Sequence, residues 1–151
     1  MNDLNADSKT FDPQVQLNSA TAKLLRAILA VVGCGLLVAA AAVFLPVETM
    51  AQWHRWLGLG EFPDAPITRY LARSTSLLYA VHGALMLYVS FDLKRYWPLV
   101  ALFGWLHVAI GLTMLGIDLT SPMPLYWILG EGLPIAAVGA LIVYLWRKAQ
   151  A

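Results

Sequence analysis

Four long apolar segments, separated by short polar stretches, dominate the hydrophobic pattern of the chain. They cover residues 24–45, 70–91, 97–117 and 125–146. An α-helix of roughly 20 residues crosses a hydrocarbon core of roughly 30 Å. The pattern therefore predicts an all-α, polytopic membrane protein whose four transmembrane helices form an up-down bundle over residues 24–148.

The first apolar segment contains many small residues, including Gly33, Gly35 and the alanines at 39–42. Small side chains let helix backbones approach closely, so this segment should pack tightly on a neighbour. Its apolar run is longer than that of a signal peptide, and the preceding residues 1–23 mix acidic and basic side chains. We expect a retained span after a disordered cytoplasmic tail, with cleavage near Ala51 as the alternative.

The longest connection follows Pro46 and contains an amphipathic pattern. Met50, Trp53 and Leu57 fall at positions i, i+3 and i+7, while polar residues occupy the rest of the helical wheel. Tryptophan is enriched at the depth of the lipid headgroups. The pattern predicts a short interfacial helix in the first outer connection, ended by Gly58 or Gly60.

Lysine and arginine are distributed unevenly between the two ends of the predicted helices. If the N-terminus is cytoplasmic, the inner side holds seven of them: Lys9, Lys23, Arg26, Lys94, Arg95, Arg147 and Lys148. The outer side then holds three, Arg55, Arg69 and Arg73. Because cytoplasmic connections carry the excess of positive charge, both termini are predicted to be cytoplasmic.

Four ionisable residues within the apolar segments, together with Asp118 directly after the third segment, are candidates for function, because such groups are costly inside a membrane. His82 and His107 each lie ten residues from the inner end of their helix, about 15 Å deep at 1.5 Å per residue. Arg73 and Glu131 each lie within about two turns of the outer end. Asp118 directly follows the third segment.

For Arg73 and Glu131 the sequence leaves three interpretations open. They can form an intramembrane ion pair that fixes helix register, since pairing relieves the cost of a buried charge. They can instead bind a small anion, a quinone head or a proton. In the third interpretation Arg73 extends to the interface, and Glu131 and Asp118 face a wet outer cleft.

Helical spacing assigns the two histidines to faces. Gly104, His107, Gly111, Met114 and Asp118 follow a 3-4-3-4 spacing and form one stripe, which we expect to pack inward. His82 shares a face with Tyr79 and lies roughly 180° around the helix from Arg73, at 100° per residue.

For His82 and His107 the sequence also leaves three interpretations open. They are neutral imidazoles hydrogen-bonded within the bundle, axial ligands of a haem b, or parts of a proton relay. No set of histidines, carboxylates and cysteines has the spacing of a zinc site, so no metal is predicted.

Composition and motifs exclude several classes of function. Hydrophobic residues make up 60% of the chain and charged residues 13%, which leaves too little polar surface for a soluble domain. A net charge of +1, without basic runs longer than two residues, gives no indication of nucleic-acid binding. The one cysteine, Cys34, cannot form a disulfide within the chain. No nucleophile elbow or phosphate-binding loop is found, so no catalytic residue is predicted.

Two stretches, RYLARSTSLLYAVHGALMLYVSFDLKRYWPLV and GIDLTSPMPLYWILGEGLP, resemble a family of small bacterial four-span membrane proteins of unassigned function. The similarity covers about residues 48–146. The resemblance implies four helices and a location in the bacterial inner membrane, and it implies no activity.

Three hypotheses follow for function. In the first, the protein is a non-catalytic accessory or interaction subunit that packs in the bilayer with a membrane-protein partner or a second copy. In the second, it is an electron-transfer module that binds haem b through His82 and His107. In the third, it is a small transporter or proton-coupled protein that uses Arg73, Glu131 and Asp118.

Overall fold

The computed structural model describes residues 20–121 and 123–150, and within them the regular secondary structure is entirely helical. The helices are α1 (Ala20–Leu37), α2 (Ala40–Phe44), α3 (Val47–Trp56), α4 (Pro66–Phe91), α5 (Trp97–Thr120), α6 (Leu125–Gly130) and α7 (Gly132–Lys148). The predicted all-α class is confirmed. Of the predicted tail, residues 1–19 lie outside the described residues, and α1 begins at Ala20 instead of residue 24.

Four segments of the chain are long and apolar enough to cross a membrane, as the sequence predicted. They are Ala20–Phe44, Pro66–Phe91, Trp97–Thr120 and Leu125–Lys148, here called the first to fourth spans. The second span begins four residues earlier than expected, because Pro66 occupies the start of the helix, where its missing N–H costs nothing.

The fourth span is interrupted at Glu131, which separates α6 from α7. Pro134 explains the position, because its ring has no N–H to donate and clashes with the carbonyl four residues earlier, that of Gly130. The first span is interrupted at residues 38–39, where Ala39 N–H donates to Leu36 O, three residues back, at 3.1 Å. No proline marks that second break.

The first and second spans pack closely where Gly33 faces Gly83. A Cβ atom added to Gly83 would lie 2.6 Å from the carbonyl oxygen of Gly33 and 2.9 Å from the backbone nitrogen of Leu37. One added to Gly33 would lie 2.9 Å from the nitrogen of Leu87. Later residues of α4 thus meet earlier residues of α1, so these two helices run in opposite directions.

The third and fourth spans form a second close pair through four glycines. A Cβ on Gly104 would meet Val143, and one on Gly139 would meet the backbone of Val108 at 2.5 Å. Further along the pair, Gly111 and Gly132 approach each other in the same way. The contacts again join early residues of one helix to late residues of the other. The fold therefore consists of two tightly packed antiparallel pairs, α1 with α4 and α5 with α7.

The hydrophobic core lies where α1 begins, α4 ends, α5 begins and α7 ends. Its fully buried members include Leu25, Leu29, Met86, Val100 and Ile142. Trp97 and Trp146 stack beside it, with ring centroids 6.3 Å apart, and Trp146 Nε1 donates to Trp97 O at 3.2 Å. This core joins the two helix pairs at one end of the bundle.

The outward faces of the spans expose large apolar side chains along their whole length. On α4 the exposed residues continue through nearly every turn and include Leu71, Leu78, Leu85, Tyr88 and Phe91. A protein surrounded by water seldom exposes a continuous apolar surface of this kind. The exposure agrees with helices that contact lipid.

Short connections are fixed by polar contacts. Tyr88 and Tyr96 place their hydroxyl oxygens 2.7 Å apart across the turn between α4 and α5, and this hydrogen bond raises the pKa of Tyr96 above its ordinary value. In the first turn of α4, Arg69 Nη2 lies 2.6 Å from Oδ1 of Asp64, which belongs to the connection before the helix.

Helix α3 forms where the amphipathic pattern predicted a helix. Gly58 and Gly60 follow its end with φ of 73° and 86°, conformations that favour glycine. The Tyr126 hydroxyl donates to Leu57 O and joins this end of α3 to the start of α6. The position of α3 at the membrane interface stays a prediction.

Candidate functional site

A cavity of about 400 Å³ lies between the two helix pairs, beside the hydrophobic core. Its polar lining consists of Tyr79 and His82 on α4 and His107 on α5. The rest is apolar and comes from all four spans: Val32, Leu36, Leu78, Ile110, Pro134, Ile135 and Val138. The volume falls within the range of roughly 300–1,000 Å³ that small-molecule sites occupy.

The cavity exists because the two close pairs leave space between them. Glycine contacts draw α4 onto α1 and α5 onto α7, so α4 and α5 pack less closely on each other than on their pair partners. The core closes one end of this space with large side chains. The result is an apolar site at the middle of the bundle.

His82 and His107 face each other across this space. Their ring centroids are 5.1 Å apart and the ring planes are tilted by 39°. The two helices are consecutive, and each histidine lies about ten residues from the short turn that joins them, so both reach the same depth. The sequence had predicted the common depth but not that the rings meet.

His107 is held in one orientation by its own helix. Its Nδ1 lies 2.8 Å from the carbonyl oxygen of Phe103, one turn earlier, and the residue is only 5% exposed. A carbonyl oxygen can only accept a hydrogen bond, so Nδ1 carries the proton and donates. In the neutral ring, Nε2 is then an acceptor without a hydrogen.

His82 makes ring contacts, and no hydrogen bond to its side chain is found among the residues that the structure describes. Its ring meets Phe103 edge to face at a centroid distance of 5.5 Å. Its Nε2 is buried and has no hydrogen-bond partner among the described residues. A buried polar atom without a partner is unfavourable by about 1–3 kcal/mol, so a partner from outside the described residues would stabilise this nitrogen.

Haem was one of the groups that the sequence proposed for these histidines, and the geometry bears on its fit. The hydrogen bond from His107 Nδ1 to a backbone carbonyl is typical of a metal-binding histidine. Axial ligation, however, puts the imidazoles on opposite faces of a porphyrin, with metal–nitrogen bonds of about 2 Å each. That arrangement needs more than 5.1 Å between ring centroids. Haem does not fit between the rings in this arrangement of α4 and α5.

Arg73 lies away from the cavity, near the opposite end of α4 from the core. Its side chain is exposed, and Nη2 donates to Leu45 O at 3.2 Å, just after the end of α2. Basic side chains often bind the last carbonyl groups of a helix in this way. Arg73 therefore fastens the second span to the end of the first.

Glu131 occupies the break in the fourth span. Its Oε2 accepts a hydrogen bond of 2.6 Å from Trp127 Nε1, one turn earlier. The salt bridges among the described residues join Arg55 with Glu61 and Arg69 with Asp64. The ion pair that the sequence proposed between Arg73 and Glu131 does not form in this structure, because each group has a partner near its own position in the fold.

Asp118 is buried near the end of α5, with 3% of its surface exposed. Its Oδ2 has no hydrogen-bond partner among the described residues. Of the predicted stripe, Gly104, His107, Gly111 and Asp118 are buried, whereas Met114 is half-buried. Within the described residues the lining of the central cavity includes none of Asp118, Arg73 and Glu131. The outer cleft around Asp118 stays a prediction.

Sequence reasoning missed most of the apolar lining and the importance of Gly83. Leu78, Ile110 and Val138 look like ordinary span residues, and only their place between two separated helix pairs makes them part of a site. Gly83 was overlooked because the alanines around it, such as Ala80 and Ala84, recur more regularly. A glycine directly beside a membrane histidine was the available signal.

The site thus combines two facing imidazoles, one hydroxyl and an apolar wall at the centre of a membrane-type bundle. Such a site can hold an apolar molecule and hydrogen-bond to one polar group on it. Comparison with protein-family models, curated proteins and solved structures finds no match.

Proposed function

We propose that the chain is a non-catalytic accessory or interaction subunit of the bacterial inner membrane, and that it acts by holding a small apolar molecule between its two helix pairs. In this proposal the four spans form an up-down bundle with both termini in the cytoplasm. Helix α3 then lies at the outer interface, and a membrane-protein partner or a second copy packs on the lipid-facing surface.

The observation that carries the proposal is the pair of facing histidines in an apolar cavity. Polar groups at this depth are costly unless they have partners. His107 satisfies one nitrogen within its helix, whereas His82 Nε2 has no partner among the described residues. A bound molecule with a polar group near both rings would supply that partner while its apolar part fills the cavity.

The unequal lysine and arginine distribution supports the orientation, with seven residues predicted inside and three outside. The exposed Trp53 and Trp56 on α3 support its interfacial position. Membership of the small four-span family that the sequence resembles also stays a proposal, on the same pattern of residues.

Mass spectrometry of apolar extracts from the purified protein tests whether the chain holds an apolar molecule. We expect an apolar compound at about one per chain from the wild-type protein. Val138→Phe fills the cavity and should remove it, because Val138 lines the site. Leu141→Phe introduces the same side chain on the exposed face of α7 and should keep the compound bound. Equal amounts from both variants would contradict the proposal.

Haem binding by His82 and His107 receives less support, because the rings are too close for a porphyrin between them. A visible absorption spectrum, oxidised and dithionite-reduced, tests it directly. A Soret band that shifts on reduction and disappears in His82→Ala would replace our proposal with an electron-transfer function.

Transport through an outer cleft also receives less support. It requires Arg73, Glu131 and Asp118 around one wet space, whereas Arg73 binds the end of α2, Glu131 binds Trp127 and Asp118 is buried. Four spans also offer little room for alternating access within one chain.

A further inference from the structure

The cavity lies at mid-depth of the spans and extends to residues that are exposed on the outside of the bundle. Leu78 is 68% exposed and Ile110 is 40% exposed, although both line the cavity. A sealed chamber would leave these side chains largely covered, so the cavity has a side opening where the less closely packed α4 and α5 present these two residues.

The opening faces hydrocarbon and not water. Leu78 is twelve residues from the start of α4 at Pro66, about 18 Å at 1.5 Å per residue. Ile110 is ten residues from the end of α5 at Thr120, about 15 Å. In a bilayer core roughly 30 Å thick, both positions are near the middle. A molecule that enters here must already be dissolved in the membrane.

The two histidines determine which polar group such a molecule can carry. His107 Nε2 accepts a hydrogen bond, because Nδ1 already donates to Phe103 O. His82 Nε2 is buried without a partner among the described residues and can carry the hydrogen of its own ring. Within the described part of the chain no hydrogen bond joins the two rings, whose centroids are 5.1 Å apart. Because both histidines line the cavity, they can offer one acceptor and one donor to the same polar group.

A hydroxyl group matches this pair of ring nitrogens, because its oxygen accepts one hydrogen bond and its hydrogen donates another. A carbonyl cannot donate to His107, and an ether can do no more than accept from His82. A carboxylate or ammonium group would place a charge at the most costly depth of the bilayer.

We propose that the cavity takes a hydroxyl-bearing apolar molecule directly from the bilayer, through the opening between α4 and α5, with the hydroxyl bridging His82 Nε2 and His107 Nε2. The inference rests on the proposed function, since it names the chemical class and the entry route of the molecule that the cavity holds. The hydroxyl can belong to an aromatic ring, as in a phenol or quinol, or to an aliphatic chain, as in a membrane alcohol.

Equilibrium binding tests whether the cavity requires a hydroxyl group. It is measured with the full chain in phosphatidylcholine nanodiscs and corrected with empty nanodiscs. The probes are 4-decylphenol and 4-decylanisole, which differ by methylation of the oxygen. We expect the phenol to bind about tenfold or more tightly, because a site built for a hydroxyl rejects the analogue that cannot donate. The comparison needs no substitution, so it holds even if histidine variants fail to fold.

Variants test whether the preference for the phenol over the anisole depends on His107. His107→Phe removes the acceptor and should reduce the difference between the two probes to about twofold or less. Leu106→Phe introduces phenylalanine one residue earlier, at a side chain that is 39% exposed. This control variant should keep the full difference in affinity between the two probes. 1-Hexadecanol is included to distinguish an aliphatic hydroxyl from an aromatic one. Whichever of 4-decylphenol and 1-hexadecanol binds more tightly identifies the class of hydroxyl that the cavity takes.

Water-soluble 4-hydroxybenzenesulfonate tests the route, and we expect no binding because its charge cannot enter from the hydrocarbon. Equal binding of phenol and anisole would overturn the hydroxyl bridge but leave the ligand-holding function standing. Binding of the sulfonate would overturn the entry route. If none of the three apolar probes binds, this inference fails. The proposed function fails with it only if the extracted compound is also absent from the wild-type protein.

Discussion

Individual polar residues in the spans are stabilised by partners close to them in the fold. Arg73 binds the carbonyl of Leu45, Glu131 accepts from Trp127, and His107 donates to Phe103. Two of these three bonds join residues one helical turn apart, which a sequence pattern alone does not distinguish from longer-range pairing. The sequence singled out these residues as costly inside a membrane, but their partners depend on side-chain directions that spacing does not determine.

A double-mutant cycle distinguishes separate partners from an ion pair. We expect Arg73→Gln and Glu131→Gln to change the free energy of unfolding additively, within about 0.5 kcal/mol, because the two groups do not share a bond. The measurement is thermal or denaturant unfolding of the two single variants and the double variant in one detergent. A coupling energy well above that limit would show that the two charges interact.

At the scale of elements, glycine contacts decide which helices form pairs. Gly111 and Gly132 let α5 and α7 approach until backbone atoms touch, and Gly33 with Gly83 do the same for α1 and α4. The sequence indicated this packing for α5, where Gly104 and Gly111 flank His107. It gave less guidance for α4, because alanines at regular intervals concealed the one glycine that makes the contact.

Substitution of Gly111 should weaken the pair of α5 and α7. A Cβ at this position would lie 2.6 Å from the carbonyl oxygen of Gly132, so Gly111→Ala must push the helices apart. We expect a loss of about 1–3 kcal/mol in the free energy of unfolding. Gly116→Ala is the matched control on the same helix, because nothing lies within 4 Å of the added atom. Equal stability of the two variants, measured by circular dichroism, would contradict the packing.

For the whole molecule, the sequence predicted four spanning helices from length and apolar content, and the structure has them. The same pattern does not determine how four apolar helices arrange themselves, because nearly every face is apolar and helix periodicity is weak. The cavity depends on that arrangement: two close pairs, joined by a core at one end, leave a space in the middle. His82 and His107 could be placed at one depth from the sequence, but their contact required the fold.

The orientation of the molecule predicts which residues a membrane-impermeant maleimide reaches in intact bacterial cells. In a Cys34→Ser background, Glu61→Cys in the connection before α4 should react at once, because this connection is expected outside. Gln150→Cys, after α7, should react only when the cells are permeabilised. The opposite result for the two positions would reverse the proposed topology.

The contact between His82 and His107 is the central claim, since the cavity, the proposed function and the hydroxyl bridge all depend on it. NMR of protein with labelled histidine rings tests it most directly, because the chain has only three histidines and His54 serves as an internal control. We predict a ring-to-ring cross-peak between His82 and His107, none from either to His54, and a proton on Nδ1 of His107. Absence of that cross-peak, or a His107 ring protonated on Nε2 alone, would contradict the account.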